Sequence, residues 1–237
     1  MEWLQRTEIL LGPEKLKKLN DAHVLIAGLG GVGSYAAEMI ARAGVGQMTI
    51  VDGDVVQPSN RNRQLPALVS TQFQPKSEIV AARLRDINPD IRLTVINEFL
   101  KDERIPELLS NDFDYVVDAI DTLSPKVFLI VHALRRQLPL ISSLGAGGKL
   151  DPSLIRIDDI GNTYNCNLAR MVRKRLTKFD IRSGFKVVFS PELVDKSVII
   201  LTEGEQNKKT TVGTISYLPA MFGCYLASQV IRDIINR

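Results

Sequence analysis

The most constraining stretch of this chain is an apolar run that ends in a glycine-rich turn and leads into small residues at helical spacing. The run starts at Val24, and the turn carries Gly28, Gly30, Gly31 and Gly33. This pattern predicts a strand, a tight turn and a helix. Glycine suits such a turn because it adopts positive φ and lets a ligand approach bare backbone. The four glycines are therefore candidates for binding an anion at the start of the helix.

An acidic residue supports a nucleotide site at this turn. A second apolar run, Gln47–Val51, ends in Asp52. Rossmann-type folds place a ribose-binding carboxylate about 20 residues beyond the glycines. The combination predicts an adenosine site, but NAD and ATP present the same adenosine, so the nucleotide stays open.

The segment after Asp52 differs from NAD-binding folds, in which a helix commonly follows the acid. Residues 53–64 are polar and include Arg61 and Arg63, and Lys76 begins the next helical pattern. Cations beside a phosphate site can neutralise a triphosphate, although solvated surface cations would give the same pattern. The polar flanks and the short spacing favour the functional interpretation.

Two carboxylates, Asp118 and Asp121, stand where a further apolar run, Tyr115–Asp118, ends. Ligands of open parallel sheets gather at the carboxyl ends of the strands. Carboxylates there can hold Mg²⁺, which keeps most of its waters and bridges to phosphates. Plain helix caps would look the same, so the residues alone favour neither interpretation.

The order of the segments predicts the fold class. Strand-like and helix-like runs alternate as far as residue 142, which predicts an α/β fold with a Rossmann-like, doubly wound, mostly parallel sheet. A glycine-rich break then separates residues 1–150, the expected nucleotide-binding domain, from residues 151–237. We expect the latter to form a smaller α+β elaboration with a basic helix and a closing helix. The length of 237 residues and the apolar content of 45% suffice for a sizeable core.

A basic helix is predicted over residues 168–178. Its cations are Arg170, Arg173, Lys174, Arg175 and Lys178. The net charge of +3 is too small to indicate a polyanionic partner. The residues favour a solvated helix face, and a patch that faces a polyanion is the alternative.

The cysteines indicate a reducing, cytoplasmic location. Cys166 and Cys224 are too few for a disulfide framework and form no CxxC pair, so no structural zinc is expected. Packing or surface roles are favoured over catalysis for both, and for His23 and His132. The amino terminus lacks a secretory signal pattern, and polar residues interrupt the apolar tract 212–231, which favours a buried helix over a membrane span.

Together these motifs resemble the ThiF/MoeB family of ATP-dependent activating enzymes, which includes the ubiquitin-activating enzymes. The resemblance covers residues 6–150 and rests on the glycine turn, Asp52, the loop 59–64, Lys76 and Asp118-x-x-Asp121. It implies that ATP and Mg²⁺ are the cofactors and that the chain adenylates a substrate.

The resemblance also implies individual roles. Asp52 would bind the ribose hydroxyls, and Lys76 would stabilise charge that develops on the phosphates. Asp121 would hold magnesium. The phosphate pocket would be lined by Asn60, Arg63 and Gln64, and the implied cofactor-binding set also includes the glycines, Asp54 and Asp118. Arg6, which by itself favours a solvated surface charge, matches the family arginine that reaches into the neighbouring subunit's site, and this implies a homodimer.

The second half is most similar to the bacterial enzymes of this family that dehydrate threonylcarbamoyladenosine in tRNA. The similarity rests on Asp118-Ala-Ile-Asp121, Pro125-Lys126, Ala146–Gly148, Asp151-Pro152, the basic helix and Val188–Glu192. It implies a tRNA carrying this modification as substrate, whose phosphates would contact the basic helix and Lys208 and Lys209. An accessory sulfur-handling protein stays open as a partner.

Two alternatives remain. The nearer is an enzyme of the same fold that adenylates the C-terminus of a small ubiquitin-like sulfur carrier, although this chain lacks the paired CxxC zinc ligands of those branches. The other is a nucleotide-sensing or NAD-binding module that catalyses no reaction. Lys76 and the loop of residues 59–64, here called the arginine loop, disfavour it.

Overall fold

The structure, a computed structural model, describes residues 2–101, 103–201 and 210–237. The strands are β1 (His23–Ala27), β2 (Gln47–Val51), β3 (Arg92–Ile96), β4 (Tyr115–Asp118), β5 (Leu140–Ser143), β6 (Arg156–Asp159), β7 (Lys186–Phe189), β8 (Ile199–Leu201) and β9 (Thr210–Val212). The α-helices are α1 (Gln5–Leu11), α2 (Pro13–Asp21), α3 (Gly33–Arg42), α4 (Lys76–Ile87), α5 (Arg104–Leu108), α6 (Leu123–Arg135), α7 (Asn167–Leu176) and α8 (Tyr217–Ile235).

Seven strands form one sheet in the order β3-β2-β1-β4-β5-β7-β6. All neighbouring pairs are parallel except β6 with β7. The chain order reverses between β1 and β4, and open sheets of this kind bind ligands at the carboxyl ends beside such a switch point. The predicted Rossmann-like, mostly parallel sheet is confirmed.

Helices cover both faces of the sheet because its central strands are apolar on both sides. In β1, Leu25 and Ile26 point to opposite faces, and both are fully buried. Ile26 belongs to a core with α3, α4 and α8, whereas Leu25 belongs to a core with α5, α6 and α7. The glycine turn after β1 is thus held between two packed layers.

Residues 151–237 contribute two strands to this sheet. Strand β7 pairs with β5, and β6 pairs with β7 at the sheet edge. Helix α8 returns to pack on α3, and its Phe222 lies in the same core as Ile26. A separate two-stranded sheet, β8–β9, stands beside these elements. No helix in the described ranges combines the length and the apolarity that a bilayer crossing requires.

Two predicted boundaries differ from the observed ones for local reasons. The strand-like run Leu154–Ile157 predicts a strand, but the Asp151 carboxylate accepts a hydrogen bond from Ser153 N at 2.8 Å and caps a short 3₁₀ turn, so β6 starts at Arg156. The basic helix ends at Leu176, and a 3₁₀ turn follows that finishes in the left-handed conformation at Asp180. Lys178 therefore lies beyond the α-helix.

Candidate nucleotide-binding site

The glycine turn between β1 and α3 is packed too closely for side chains. A Cβ at Gly28 would lie 2.7 Å from the carbonyl oxygen of Ala119, and one at Gly33 would lie 1.8 Å from the oxygen of Gly28. Gly28 also has a φ of +90°. Because the turn is bare and stands at the start of α3, its amides can face an anion at the switch point.

Asp52 lies beneath this turn. Its carboxylate accepts hydrogen bonds from Leu29 N at 2.6 Å and from Asp54 N at 2.7 Å, which fixes its orientation at the end of β2. Burial raises the pKa of Asp52, and the positive charge of Lys76 opposes that effect. The predicted ribose-binding acid and the predicted phosphate-binding lysine are therefore neighbours.

Lys76 is the first residue of α4, and only 4% of it is exposed. Its Nζ lies 2.9 Å from an oxygen of Asp54, while its backbone N–H donates to the Asp54 carbonyl at 3.0 Å. The side chain of Asp54 is 53% exposed, so one partner of the pair is buried and the other faces solvent. This arrangement holds a lysine in place for an anionic ligand.

The arginine loop forms a compact turn above the glycines. Asn60 organises this turn, since its Oδ1 accepts from Gln57 N at 3.0 Å and its carbonyl accepts from the amides of Arg63 and Gln64. The Gln64 Nε2 lies 3.7 Å from where a Cβ of Gly30 would be. Among the described residues, the buried Oε1 of Gln64 lacks a hydrogen-bond partner, so it can serve a ligand.

Arg63 is held by two acceptors of its own loop. Its Nη1 donates to Ser59 O at 3.0 Å and to Asn62 Oδ1 at 2.8 Å. Burial lowers the pKa of Arg63, and the negative charge of Asp121 opposes that effect. The predicted phosphate-binding arginine and the predicted metal-binding carboxylate thus belong to one site.

The structure places Asp118 differently from Asp121, because the side chain of Asp118 is enclosed by protein. It is fully buried, and its Oδ2 accepts from Lys126 Nζ at 2.6 Å and from Ser142 Oγ at 2.6 Å. Its Oδ1 accepts from Ile120 N at 3.1 Å. The carboxylate joins the ends of β4 and β5 and shapes the turn that leads to Asp121, so Asp118 supports the site from within the protein.

Asp121 is exposed at the carboxyl edge of the sheet. The described residues contain no group of three or more His, Cys, Asp or Glu side chains that could hold a metal by themselves. One carboxylate fits Mg²⁺ nevertheless, since this ion commonly takes one or two carboxylates and completes its shell with waters and substrate phosphates.

Arg6 stands away from this cleft. It is exposed on α1, and the preceding Leu4 is buried, close to Gly44 in the turn that leads into β2. That turn lies at the amino ends of the strands, whereas the glycine turn and Asp121 lie at the carboxyl ends. The fold therefore anchors α1 near the amino ends of the strands, whereas the nucleotide site of the same chain lies at their carboxyl ends.

Most cations of the basic helix face solvent, as a binding patch would require. The exposed ones are Arg170, Lys174 and Arg175 on α7 and Lys178 just beyond it. Arg173 differs, because it is half-buried and its guanidinium donates to the carbonyl and the hydroxyl of Thr163. It belongs to the packing of α7 more than to the free surface. Lys208 and Lys209 lie outside the described residues.

The sequence-based reasoning assigned no individual role to two buried lysines, Lys126 and Lys149. Lys126 shares a helical face with the fully buried Ile130 and Ala133, and a lysine on such a face could have signalled a buried ion pair. Lys149 is 2% exposed, donates to the carbonyls of Ser190 and Glu192, and has a pKa that burial lowers. Its partners are distant in sequence, so no local pattern reveals it.

The cysteines occupy packing positions. Cys166 is buried in the core between α6 and α7. Cys224 is half-buried on α8, where burial raises the pKa of its thiol. Both environments suit the packing roles that the sequence favours.

A bare glycine turn at a switch point, a carboxylate beneath it and two cations beside it define a nucleotide-binding α/β protein with a polyphosphate pocket. The chain belongs to the ThiF family, whose sequence pattern matches residues 4–237. The match covers the expected nucleotide-binding part and the C-terminal part alike.

Three proteins show how far along the chain the similarity to each relative extends. The chain is 37% identical to a tRNA threonylcarbamoyladenosine dehydratase of Bacillus subtilis, over 98% of this chain and 94% of that protein. Its fold matches the crystal structure of the corresponding Escherichia coli dehydratase in complex with ATP, with a TM-score of 0.91 and 33% identity over 99% of this chain and 94% of that one. The sulfur carrier protein ThiS adenylyltransferase of Escherichia coli is 37% identical, but over only 56% of this chain and 54% of that protein.

We predict that Lys126→Met lowers the free energy of unfolding by about 3–5 kcal/mol, because it leaves the Asp118 carboxylate buried without its counter-charge. The double variant Lys126→Met/Asp118→Asn should lose less, since it removes both charges. Urea unfolding measures the difference, with Arg136→Met at the exposed end of the same helix as the control. Equal losses in the single and double variants would contradict the ion-pair explanation.

Proposed function

We propose that this chain is a cytoplasmic, ATP-dependent enzyme that dehydrates threonylcarbamoyladenosine in tRNA to a cyclic product. The carboxylate of the modification is first joined to AMP, and ring closure then releases the AMP. The site described above supplies the groups that such an adenylation needs at the phosphates.

One observation carries this assignment: the similarity to a named dehydratase extends over 98% of the chain, including α7 and β7. The match to a sulfur carrier adenylyltransferase extends over 56%. Adenylation alone would be shared by both classes, so the additional matched length favours the tRNA substrate. The exposed cations of α7 agree with a polyanionic partner.

In the first step, a carboxylate oxygen of the substrate attacks the α-phosphorus of ATP, and the bond to pyrophosphate breaks. Arg63 and Lys76 neutralise the charge that develops on the phosphate oxygens, and the glycine-turn amides orient the nucleotide. Asp52, fixed by two backbone N–H groups, receives the ribose hydroxyls. Because these groups stand on strand and helix ends, little reorganisation is required at the moment of reaction.

Asp121 is the residue that would hold Mg²⁺, and the ion would supply positive charge against the phosphates when bound. The position suits this role, since Asp121 is exposed and its charge acts on Arg63. Asp121, Arg63 and Lys76 would thereby all lie around the expected triphosphate.

In the second step, a nucleophile within the modification attacks the activated carbonyl carbon, the bond to AMP breaks, and the nucleophile loses its proton. The net change is the loss of one water from the modification, whose elements are taken up in cleaving ATP to AMP and pyrophosphate. This closure needs no nucleophile from the protein, which agrees with the buried position of Cys166.

The exposed Arg6 fits a role in a second copy of the chain. Its helix is anchored at the opposite edge from the nucleotide site, so Arg6 would complete the site of a partner subunit in a homodimer. An accessory sulfur-handling protein is a further candidate partner, which a binding measurement can test.

We predict that Arg63→Ala slows adenylation by about a thousandfold, because an arginine on a transferring phosphate contributes about that much. The rate of ATP–pyrophosphate exchange with modified tRNA measures the loss. Arg61→Ala is the matched control, since it removes a neighbouring exposed arginine whose Nε donates to its own loop at 3.4 Å. Near-normal exchange in Arg63→Ala would contradict the proposed role.

Neutralising Arg170 and Lys174 together should weaken tRNA binding and flatten its dependence on salt, while ATP affinity is retained. Both are exposed on α7, and phosphate contacts of this kind are lost as counterions compete. Lys15→Ala/Lys17→Ala removes the same charge from α2 and serves as the control. Unchanged tRNA affinity in the α7 variant would remove this surface from the RNA interface.

The function itself is tested by supplying the purified protein with ATP, magnesium and one of three acceptors. These are tRNA carrying threonylcarbamoyladenosine, unmodified tRNA, and a small sulfur-carrier protein. Pyrophosphate release that requires the modified tRNA is the expected result. Release with the carrier protein alone would instead support the adenylyltransferase alternative, and release with neither would refute adenylation of both substrates.

A further inference from the structure

One side chain of the arginine loop joins the two halves of the molecule. The Oδ1 of Asn62 accepts a hydrogen bond from Arg63 Nη1 at 2.8 Å, and its Nδ2 donates to the carbonyl oxygen of Thr214 at 2.9 Å. Thr214 lies in the C-terminal half, between β9 and α8. Asn62 is therefore a direct bridge between the phosphate-binding arginine and the segment that leads into the closing helix.

The position of the Thr214 carbonyl is set by elements far from the nucleotide. The preceding Gly213 donates its amide to Val198 O at 2.9 Å and accepts from Gly148 N at 2.7 Å. A Cβ at Gly147 would lie 3.1 Å from the Thr214 hydroxyl oxygen. The loop after β5 and the residue that precedes β8 thus hold Gly213 on both sides, and with it the adjoining Thr214.

The same segment is tied to the glycine turn on its other side. It leads into α8, whose buried Pro219 has its Cβ 3.0 Å from where a Cβ of Gly31 would be. A displacement of this segment would therefore act on both sides of the phosphate pocket. It would move Arg63 through Asn62, and it would change the packing of Pro219 on Gly31.

An amide is the side chain that these two partners require. The guanidinium of Arg63 needs an acceptor, and the Thr214 carbonyl needs a donor, and asparagine offers both in one rigid plane. Aspartate would keep the acceptor but would set a carboxylate oxygen against a carbonyl oxygen. Asn62→Asp therefore removes only the donor to Thr214, whereas Asn62→Ala removes both the donor and the acceptor.

We propose that Asn62 is a positioning residue that aims the Arg63 guanidinium and makes its placement depend on the loop after β5 and the β8–β9 sheet. The inference rests on the proposed function, in which Arg63 acts on the phosphates. Substrate bound against the C-terminal half would thereby influence the step at the α-phosphorus.

The test compares Asn62→Ala and Asn62→Asp with the unmodified protein, using ATP, magnesium and tRNA that carries threonylcarbamoyladenosine. Because Ser59 O still holds Arg63, we expect both variants to lower the adenylation rate by about tenfold, with ATP affinity changed by less than about twofold. Asn111→Ala is the control, since it removes a comparable Nδ2-to-carbonyl hydrogen bond, to Leu108 O at 2.8 Å, from another part of the chain.

A double-mutant cycle separates positioning from a general structural effect. In the Arg63→Ala background, Asn62→Ala should cause no further loss of adenylation, because the residue through which it acts is gone. A second tenfold loss in that background would overturn the inference, as would a normal rate for either single Asn62 variant.

The cycle also distinguishes this inference from the proposed function. A large loss in Arg63→Ala together with a normal rate in Asn62→Ala would refute the bridge and leave the proposed function intact. A normal rate in Arg63→Ala would refute both.

Discussion

A buried positive charge holds together the edge of the sheet on which the nucleotide site stands. The Lys126 ammonium donates to Asp118 at 2.6 Å and to the Ser143 carbonyl at 2.9 Å, and it thereby ties the carboxyl ends of β4 and β5. A charge in a core is costly unless it is paired and hydrogen-bonded, so this junction allows few alternative arrangements. It fixes the turn that begins at Ala119, against which the turn at Gly28 packs without room for a Cβ.

The charges of the site follow from this scaffold. Lys76 and Arg63 come from different segments, yet both point to the switch point between β1 and β4. Lys76 pairs with Asp54 and its charge also acts on Asp52, while the charge of Asp121 acts on Arg63. The proposed adenylation would place a polyphosphate among these charges, with Asp121 as the carboxylate that would hold its metal ion. Catalysis of this kind relies on fixed charges and on positioning, and the closing step can use the substrate's own atoms.

The elements of the site that lie within short stretches could be predicted from the sequence. The strand, turn and helix around Gly28 follow from local pattern, as do the acid at Asp52 and the helix that starts at Lys76. These features depend on backbone sterics and on spacing along the chain, which the residues display directly.

The partners across the fold could not be predicted in this way. Asp118 and Asp121 are three residues apart, and the sequence predicts a place at the ligand site for both. Packing of α6 against β4 instead pairs the Asp118 carboxylate with Lys126. Arg173 stood among solvated cations until the fold brought Thr163 to it. The bridge from Asn62 to Thr214 joins residues 152 positions apart, and only the topology of the sheet and α8 makes them neighbours.

In the proposed reaction, the charged groups around the glycine turn promote transfer of AMP from ATP to a carboxylate of the modified tRNA. The modification then cyclises and releases AMP. Mass spectrometry of the nucleosides, combined with measurement of AMP and pyrophosphate, tests this most directly. Threonylcarbamoyladenosine should lose the mass of one water, and AMP and pyrophosphate should form in equal amounts with the product. Consumption of ATP without that mass change, or the mass change without ATP, would contradict it.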